Sequence, residues 1–168
     1  MNRSINRGKR KAILCFPAMT CRQSQIPTGL YKIASWCAPK YDVAILDERL
    51  NKDDTFRNLE AMLTTDPRPL CLGLSVITGE QVSSAARISK RFHGHVPIVW
   101  GGPHCTLFPE TTLDSDFVDY VVVGEGEQAF LALLEYLGGE RTEASGFASK
   151  DNRDLRYQVF SAFANVTV

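Results

Sequence analysis

Short apolar runs alternate along this chain with longer amphipathic segments. The runs are Ala12–Phe16 (AILCF), Val43–Leu46 (VAIL), Leu70–Val76 (LCLGLSV), Ile98–Trp100 (IVW) and Tyr120–Val123 (YVVV). They are near-continuously apolar rather than alternating, the pattern of strands buried on both faces. Between them lie segments with helical spacing. Gly29–Cys37 carries Leu30, Ile33, Ala34 and Cys37 on one face, and Asp54–Leu63 carries Phe56, Leu59, Met62 and Leu63. Gly79–Phe92 presents Val82, Ala85, Ala86, Ile88 and Phe92, and Glu125–Leu137 presents Phe130, Leu131, Leu133, Leu134 and Leu137. This repetition predicts an α/β fold: a doubly wound, flavodoxin-like (Rossmann-like), five-stranded parallel sheet in the order 2-1-3-4-5. Two further short runs, Gly146–Ser149 and Leu155–Val159, flank Asp151-Asn152 and predict a short C-terminal β-hairpin.

A length of 168 residues suits one core-forming domain. The expected organisation is a flexible basic arm over 1–11, an α/β domain over 12–140, and a hairpin over 141–168 that runs on into the start of a linker. The arm holds Arg3, Arg7, Lys9, Arg10 and Lys11 with no acidic neighbour. Over the whole chain 19 basic residues balance 19 acidic ones. No basic stripe alternates with aromatics, so no nucleic-acid partner is expected. No apolar segment approaches a membrane span, so no membrane partner is expected either. AILCF stops at Pro17, too soon for a signal peptide. The five cysteines are irregularly spaced and include no CxxC, which places the chain in a reducing cytoplasm with free thiols. Cys15 and Cys71 lie within apolar runs and read as core.

In such a sheet, ligands bind beyond the carboxyl ends of the strands. Four segments gather there: PAMTCRQSQIPTGL, SVITGE, GGPHCTLFPE and GEGE. Gly101, Gly102, Gly124 and Gly126 permit close backbone approach. Ser75 and Thr78 offer hydroxyls. Thr28-Gly29 after Pro27, and Gly124-Glu125, each open a helix whose free N–H groups suit phosphates or amides. Plainer roles stand beside these. A Gly-Gly pair also makes a turn. Glu125 and Glu127 favour a helix dipole. His93 and His95 flank Gly94 as helix-end residues, and His104 can simply bond nearby backbone. His104 and Cys105 are adjacent with no third ligand, so no protein metal site is expected. No nucleophile–base–orienter set is visible, so no catalytic residue is assigned. This counts against a small-molecule enzyme built on His104 or Cys105. There is no P-loop and no GxGxxG after the first strand. The acidic residues and lysine of a receiver domain are absent, and PAMTCRQ fits a flavodoxin phosphate loop poorly.

IPTGLYKIAS, VAILDERL, GLSVITGEQVSSAARISK, PIVWGGPHCTLFPE and VDYVVVGEGEQAFLALLEYL follow one another in that order. Together, from about Ala12 to Leu137, they resemble the N-terminal cobalamin (B12)-binding domain of B12-dependent radical SAM enzymes. The pairing of GGPH-x-TLFPE with VDYVVVGEGE is the specific part. The resemblance implies a corrin across the carboxyl edge and a dimethylbenzimidazole tail in a groove near Ser75 and Gly101-Gly102. Ser75-Val76-Ile77 is similar to the Ser-x-Leu element of cobalamin domains, with Ile for Leu. Gly101-Gly102 is similar to their Gly-Gly element, and Pro103 stiffens the loop carrying His104. The implied cofactor-binding set is Thr28, Gly29, Ser75, Val76, Ile77, Thr78, Gly101, Gly102, Pro103, His104, Gly124, Glu125, Gly126 and Glu127.

Two departures refine that expectation. Many cobalamin domains carry Asp-x-His-x-x-Gly after the first strand, and PAMTCRQSQIPTG holds no histidine. The resemblance then implies base-off cobalamin without a histidine ligand. Met19, Thr20, Cys21, Arg22 and Gln23 stand by position at the lower face. The chain also lacks the CxxxCxxC of a four-iron cluster. S-adenosylmethionine and a 4Fe-4S cluster would therefore come only with a radical SAM barrel supplied in cis or trans. The chain is expected to be an excised domain, a truncated product or a standalone module of a methyltransferase or cyclase system, not catalytic alone. The alternative is a protein-interaction module of the same fold that has lost the cofactor, with Leu107, Phe108, Phe160 and Phe163 as its surface.

Overall fold

A computed structural model describes residues 8–19, 26–50, 54–143 and 146–153. The strands are β1 (Lys11–Phe16), β2 (Asp42–Asp47), β3 (Leu72–Ser75), β4 (Ile98–Gly101), β5 (Tyr120–Val121) and β6 (Ala148–Ser149). They form one sheet in the order β2-β1-β3-β4-β5-β6. The first five run parallel, as the strand–helix repetition predicts. β6 adds an antiparallel edge, pairing Ser149 with Tyr120 and Ala148 with Val121. The hairpin turn is present, one residue earlier than expected. Ser149 and Asn152 exchange backbone hydrogen bonds of 3.1 and 3.2 Å around Lys150-Asp151. The expected return strand, Leu155–Val159, lies outside the described residues, as do Phe160 and Phe163.

The long helices are α1 (Thr28–Cys37), α2 (Thr55–Leu63), α3 (Glu80–Phe92) and α6 (Gly126–Leu137). Each begins and ends within a residue of its predicted bounds. The stretch from Gly102 to Leu113 departs from expectation. Its sequence reads as a loop, but the chain forms two short helices, α4 (Pro103–Leu107) and α5 (Pro109–Leu113). Each opens with proline at its first turn, where the ring presets φ and no N–H is lost. The Thr106 and Thr112 hydroxyls donate back to the Gly102 and Phe108 carbonyls at 3.2 and 2.7 Å.

Side chains alternate across the sheet, and both faces are covered. On one face Ile13, Cys15, Leu74, Val76, Ile98 and Trp100 pack with α2 and α3. On the other, Leu14, Phe16, Val99 and Val122 pack with Leu30 of α1 and with Phe130, Leu133 and Leu134 of α6. β2 is an edge strand and correspondingly more open. The second face, under α1 and α6, positions the site.

Candidate functional site

On that face the central strands carry small residues where side chains would otherwise fill the layer. The register places Leu14 beside Gly73 and Gly73 beside Val99. One step toward the carboxyl edge, Ser75 lies beside Gly101. A Cβ on Gly73 would stand 2.8 Å from Leu14 Cδ2 and 3.3 Å from Phe130 Cε2, so its absence lets both side chains close down on the sheet. Above that point, where Ser75 and Gly101 carry little, a cavity of about 200 Å³ opens between the sheet and the first turns of α1 and α6. Its walls include Leu30 and Ile33 of α1, Phe130 of α6, and Leu14, Val99 and Val122 of the sheet.

The two helices meet over this cavity. A Cβ on Gly126 would fall 2.7 Å from Ile33 Cδ1, so this glycine sets how closely α6 approaches α1. Next to it Lys32 Nζ pairs with Glu127 Oε1 at 2.8 Å. The hydrogen bond from Lys32 holds the Glu127 carboxyl below its ordinary range, and the same bond raises Lys32. Neither N-cap residue, Pro27 or Glu125, makes a side-chain cap hydrogen bond. The Ser75 hydroxyl has no hydrogen-bond partner among the described residues and faces the cavity.

The predicted site residues divide. Gly29, Ser75, Gly101, Gly102, Pro103, Gly124, Glu125, Gly126 and Glu127 line the cavity. Val76 does not; it is fully buried on the opposite face. Thr28, which opens α1, and Ile77 and Thr78, in the link from β3 to α3, are exposed outside the cavity. His104 also lies outside it. Its Nδ1 is 3.2 Å from Thr78 Oγ1, and its ring sits between Trp100 and Phe108. Partial burial lowers its pKa, which favours the neutral ring. Among the candidates for the lower face only Met19 is described, packed against the α1–α6 core. Thr20, Cys21, Arg22 and Gln23 lie outside the described residues. Among the described residues no group of three or more metal-ligating side chains comes together, and no helix is long and apolar enough to cross a membrane.

Gly102 has a structural task of its own. Its φ is +93°, and a Cβ there would lie 3.0 Å from both Val76 N and Val76 O. Val76 N donates to Gly101 O at 2.8 Å, and His104 N donates to Val76 O at 3.0 Å. The β3 and β4 ends are therefore stitched backbone to backbone. The sequence reading missed three side chains that extend this stitching. Gln81, 1% exposed, accepts from Ile77 N at 2.8 Å and donates to Pro17 O at 2.8 Å. Glu48, also buried, accepts from Ala18 N at 2.6 Å, from Ser84 Oγ at 2.5 Å and from Arg87. Gly124 N donates to Thr106 Oγ1 at 3.0 Å. Together they tie the segments after β1, β3, β4 and β5 into one carboxyl edge. Gln81 had a readable signal, since it falls on the buried stripe of α3 with Ala85, Ile88 and Phe92. Glu48 had none.

The B12 binding domain family matches residues 20–134. An uncharacterised methyltransferase of Pyrococcus horikoshii is 34% identical over 77% of this chain and 29% of its own length. The cytidylyl-2-hydroxyethylphosphonate methyltransferase of Streptomyces wedmorensis is 33% identical over 91% of this chain and 33% of its own length. The chain thus spans about a third of these curated relatives. Among solved structures, the radical S-adenosylmethionine methyltransferase TsrM of Kitasatospora setae, with cobalamin and a [4Fe-4S] cluster bound, superposes with a TM-score of 0.72 at 20% identity, over 84% of this chain and 27% of that one. OxsB, a cobalamin-dependent S-adenosylmethionine radical enzyme with aqua-cobalamin and S-adenosylmethionine bound, superposes with a TM-score of 0.68 at 16% identity, over 87% of this chain and 22% of that one. These two likenesses establish the fold. With the family matched over most of its length, the chain belongs to the B12-binding domain family.

Proposed function

We propose that this chain holds cobalamin base-off, with the benzimidazole tail in the α1–α6 cavity and the corrin over the carboxyl edge, on behalf of a radical SAM methyltransferase or cyclase domain supplied in cis or trans. The observation that carries this reading is the cavity itself. Small residues at Ser75 and Gly101 leave a slot against the sheet, walled there by hydrocarbon and holding the Ser75 hydroxyl, which has no hydrogen-bond partner among the described residues. About 200 Å³ holds roughly seven waters at liquid density, enough for a bicyclic aromatic but far too little for a corrin. A ring with carbon edges and one acceptor nitrogen fits those walls, and Ser75 can donate to that nitrogen.

The chain's own residues then have distinct tasks. Leu14, Val99, Val122 and Phe130 exclude water from the tail. Burying an aromatic of tryptophan size, 150–250 Å², contributes about 4–6 kcal/mol. Association costs a similar amount, so the corrin needs further contacts. Ile77, Leu107 and Phe108, the last two 67% and 47% exposed, supply apolar surface in the segments leaving β3 and β4. A barrel domain would cover the same side. Bound cobalamin supplies a cobalt able to accept and release a methyl group. No histidine occurs before position 93, so none in the β1 segment reaches the cobalt. S-adenosylmethionine and the 4Fe-4S cluster belong to the barrel. We place the protein in the cytoplasm, in keeping with four buried free thiols.

The exposed Leu107 and Phe108 also suit the second reading, an interaction module without cofactor. Equilibrium dialysis against hydroxocobalamin separates the two. Binding by the wild type, lost in a folded Gly101→Leu variant whose side chain fills the cavity, supports the cofactor reading. No binding by the wild type leaves the interaction module.

A further inference from the structure

This inference rests on the cavity reading above and concerns which corrinoids it accepts. The lining side chains able to hydrogen-bond are Ser75, Lys32, Glu125 and Glu127. Lys32 and Glu127 are committed to each other at 2.8 Å, and Glu125 is exposed. All three are carried by α1 or by the start of α6 rather than by the sheet. Against the sheet, Ser75 is the one polar side chain among hydrocarbon: Leu14, Val99, Val122 and Phe130. Against the sheet the slot thus matches one ring acceptor and has no second polar side chain to offer.

We propose that the cavity selects the lower base of its corrinoid, taking benzimidazole-type tails and rejecting purine-type tails. A benzimidazole presents one acceptor nitrogen once its other nitrogen is bonded to the ribose. Its remaining edge is carbon, and any methyl groups gain from the same hydrocarbon walls. An adenine tail adds ring nitrogens and an exocyclic amine. Each would leave water and meet aliphatic or aromatic carbon. One stranded polar group lowers affinity by about tenfold or more. An apolar pocket rejects an added polar group only moderately, by about a hundredfold at most, so the discrimination expected here is of that modest order.

The test is equilibrium dialysis of the protein against three hydroxo-corrinoids: cobalamin, the cobamide with adenine as lower base, and cobinamide, which has no base. Cobalamin is expected to bind at least about tenfold tighter than either of the others. Ile33→Gln places an amide on the half-buried α1 wall and is expected to narrow the cobalamin-to-adenine ratio severalfold, with the helical circular dichroism unchanged. Equal affinity for the two tailed corrinoids, both above cobinamide, overturns the selectivity and leaves the cavity reading standing. Equal affinity for cobalamin and cobinamide overturns it by placing the tail elsewhere. No binding of any corrinoid removes the cavity reading itself.

Discussion

Gly102 and Val76 touch backbone to backbone: a Cβ on Gly102 would lie 3.0 Å from both Val76 N and Val76 O, at a φ of +93°. Its neighbour differs. A Cβ on Gly101 would meet Val122 Cβ at 3.6 Å, an ordinary contact, with the cavity on its open side. The two glycines of GGPH therefore do different things. One lets two strand ends be stitched together, and the other keeps a slot empty. Gly102→Ala should lose about 2 kcal/mol or more of stability through backbone strain and the clash, whereas Gly101→Ala should lose far less. Urea denaturation of the two variants compares them directly.

Gln81 spans two segments of the carboxyl edge from inside the protein. Gln81→Leu keeps the size but strands Pro17 O and Ile77 N. A loss of about 1–3 kcal/mol is expected from these unsatisfied groups. Gln81→Glu keeps the acceptor for Ile77 N but turns a buried carboxylate oxygen on Pro17 O, so near neutral pH it should lose at least as much stability as Gln81→Leu. Chemical denaturation measures both.

The Lys32–Glu127 pair joins α1 to α6 over the cavity. The Glu127 carboxyl is held below its unfolded value, so its contribution is present above the ordinary carboxylate range and is lost as pH falls through the lowered folded value. Glu127→Gln should therefore melt slightly below wild type at pH 7, and the two should converge in acid. The difference is expected to be small because Lys32 is 66% exposed. Melting curves from neutral to strongly acidic pH check the convergence.

Cys15, Cys37, Cys71 and Cys105 are free and buried. Burial pushes Cys37 up to about 11 and Cys105 up to about 12, and raises Cys15 and Cys71 further. None carries appreciable thiolate at pH 8. Alkylation of the native protein at pH 8 should leave these four unmodified, and unfolding in guanidinium should expose all of them. Mass spectrometry of the digested protein reads each site.

The strand–helix alternation was legible because buried parallel strands and amphipathic helices have different periods, and AILCF and LCLGLSV show the first as plainly as EQVSSAARISKRF shows the second. The short helices after Gly102 and Pro109 were not. Five residues are too few for a period, and only the repeated proline at the first turn announces them. The candidate site was legible as loops but not as faces. Ser75 and Val76 are adjacent in sequence, yet the pleat sends Ser75 to the cavity and Val76 to the opposite core. His104 is carried by the GGPH segment, and the fold sets it beside Trp100 and Thr78. Glu48 escaped notice because a buried carboxylate is recognised by the partners that converge on it from α3 and the β1 segment, and these are distant in sequence.

The most direct test of the account is electron paramagnetic resonance of cob(II)alamin with saturating protein. With the benzimidazole in the cavity and no histidine reaching from the β1 segment, the cobalt signal should lose the nitrogen splitting that free cob(II)alamin shows. A bound complex that keeps nitrogen splitting, from its own base or from a protein imidazole, would contradict the base-off arrangement proposed here.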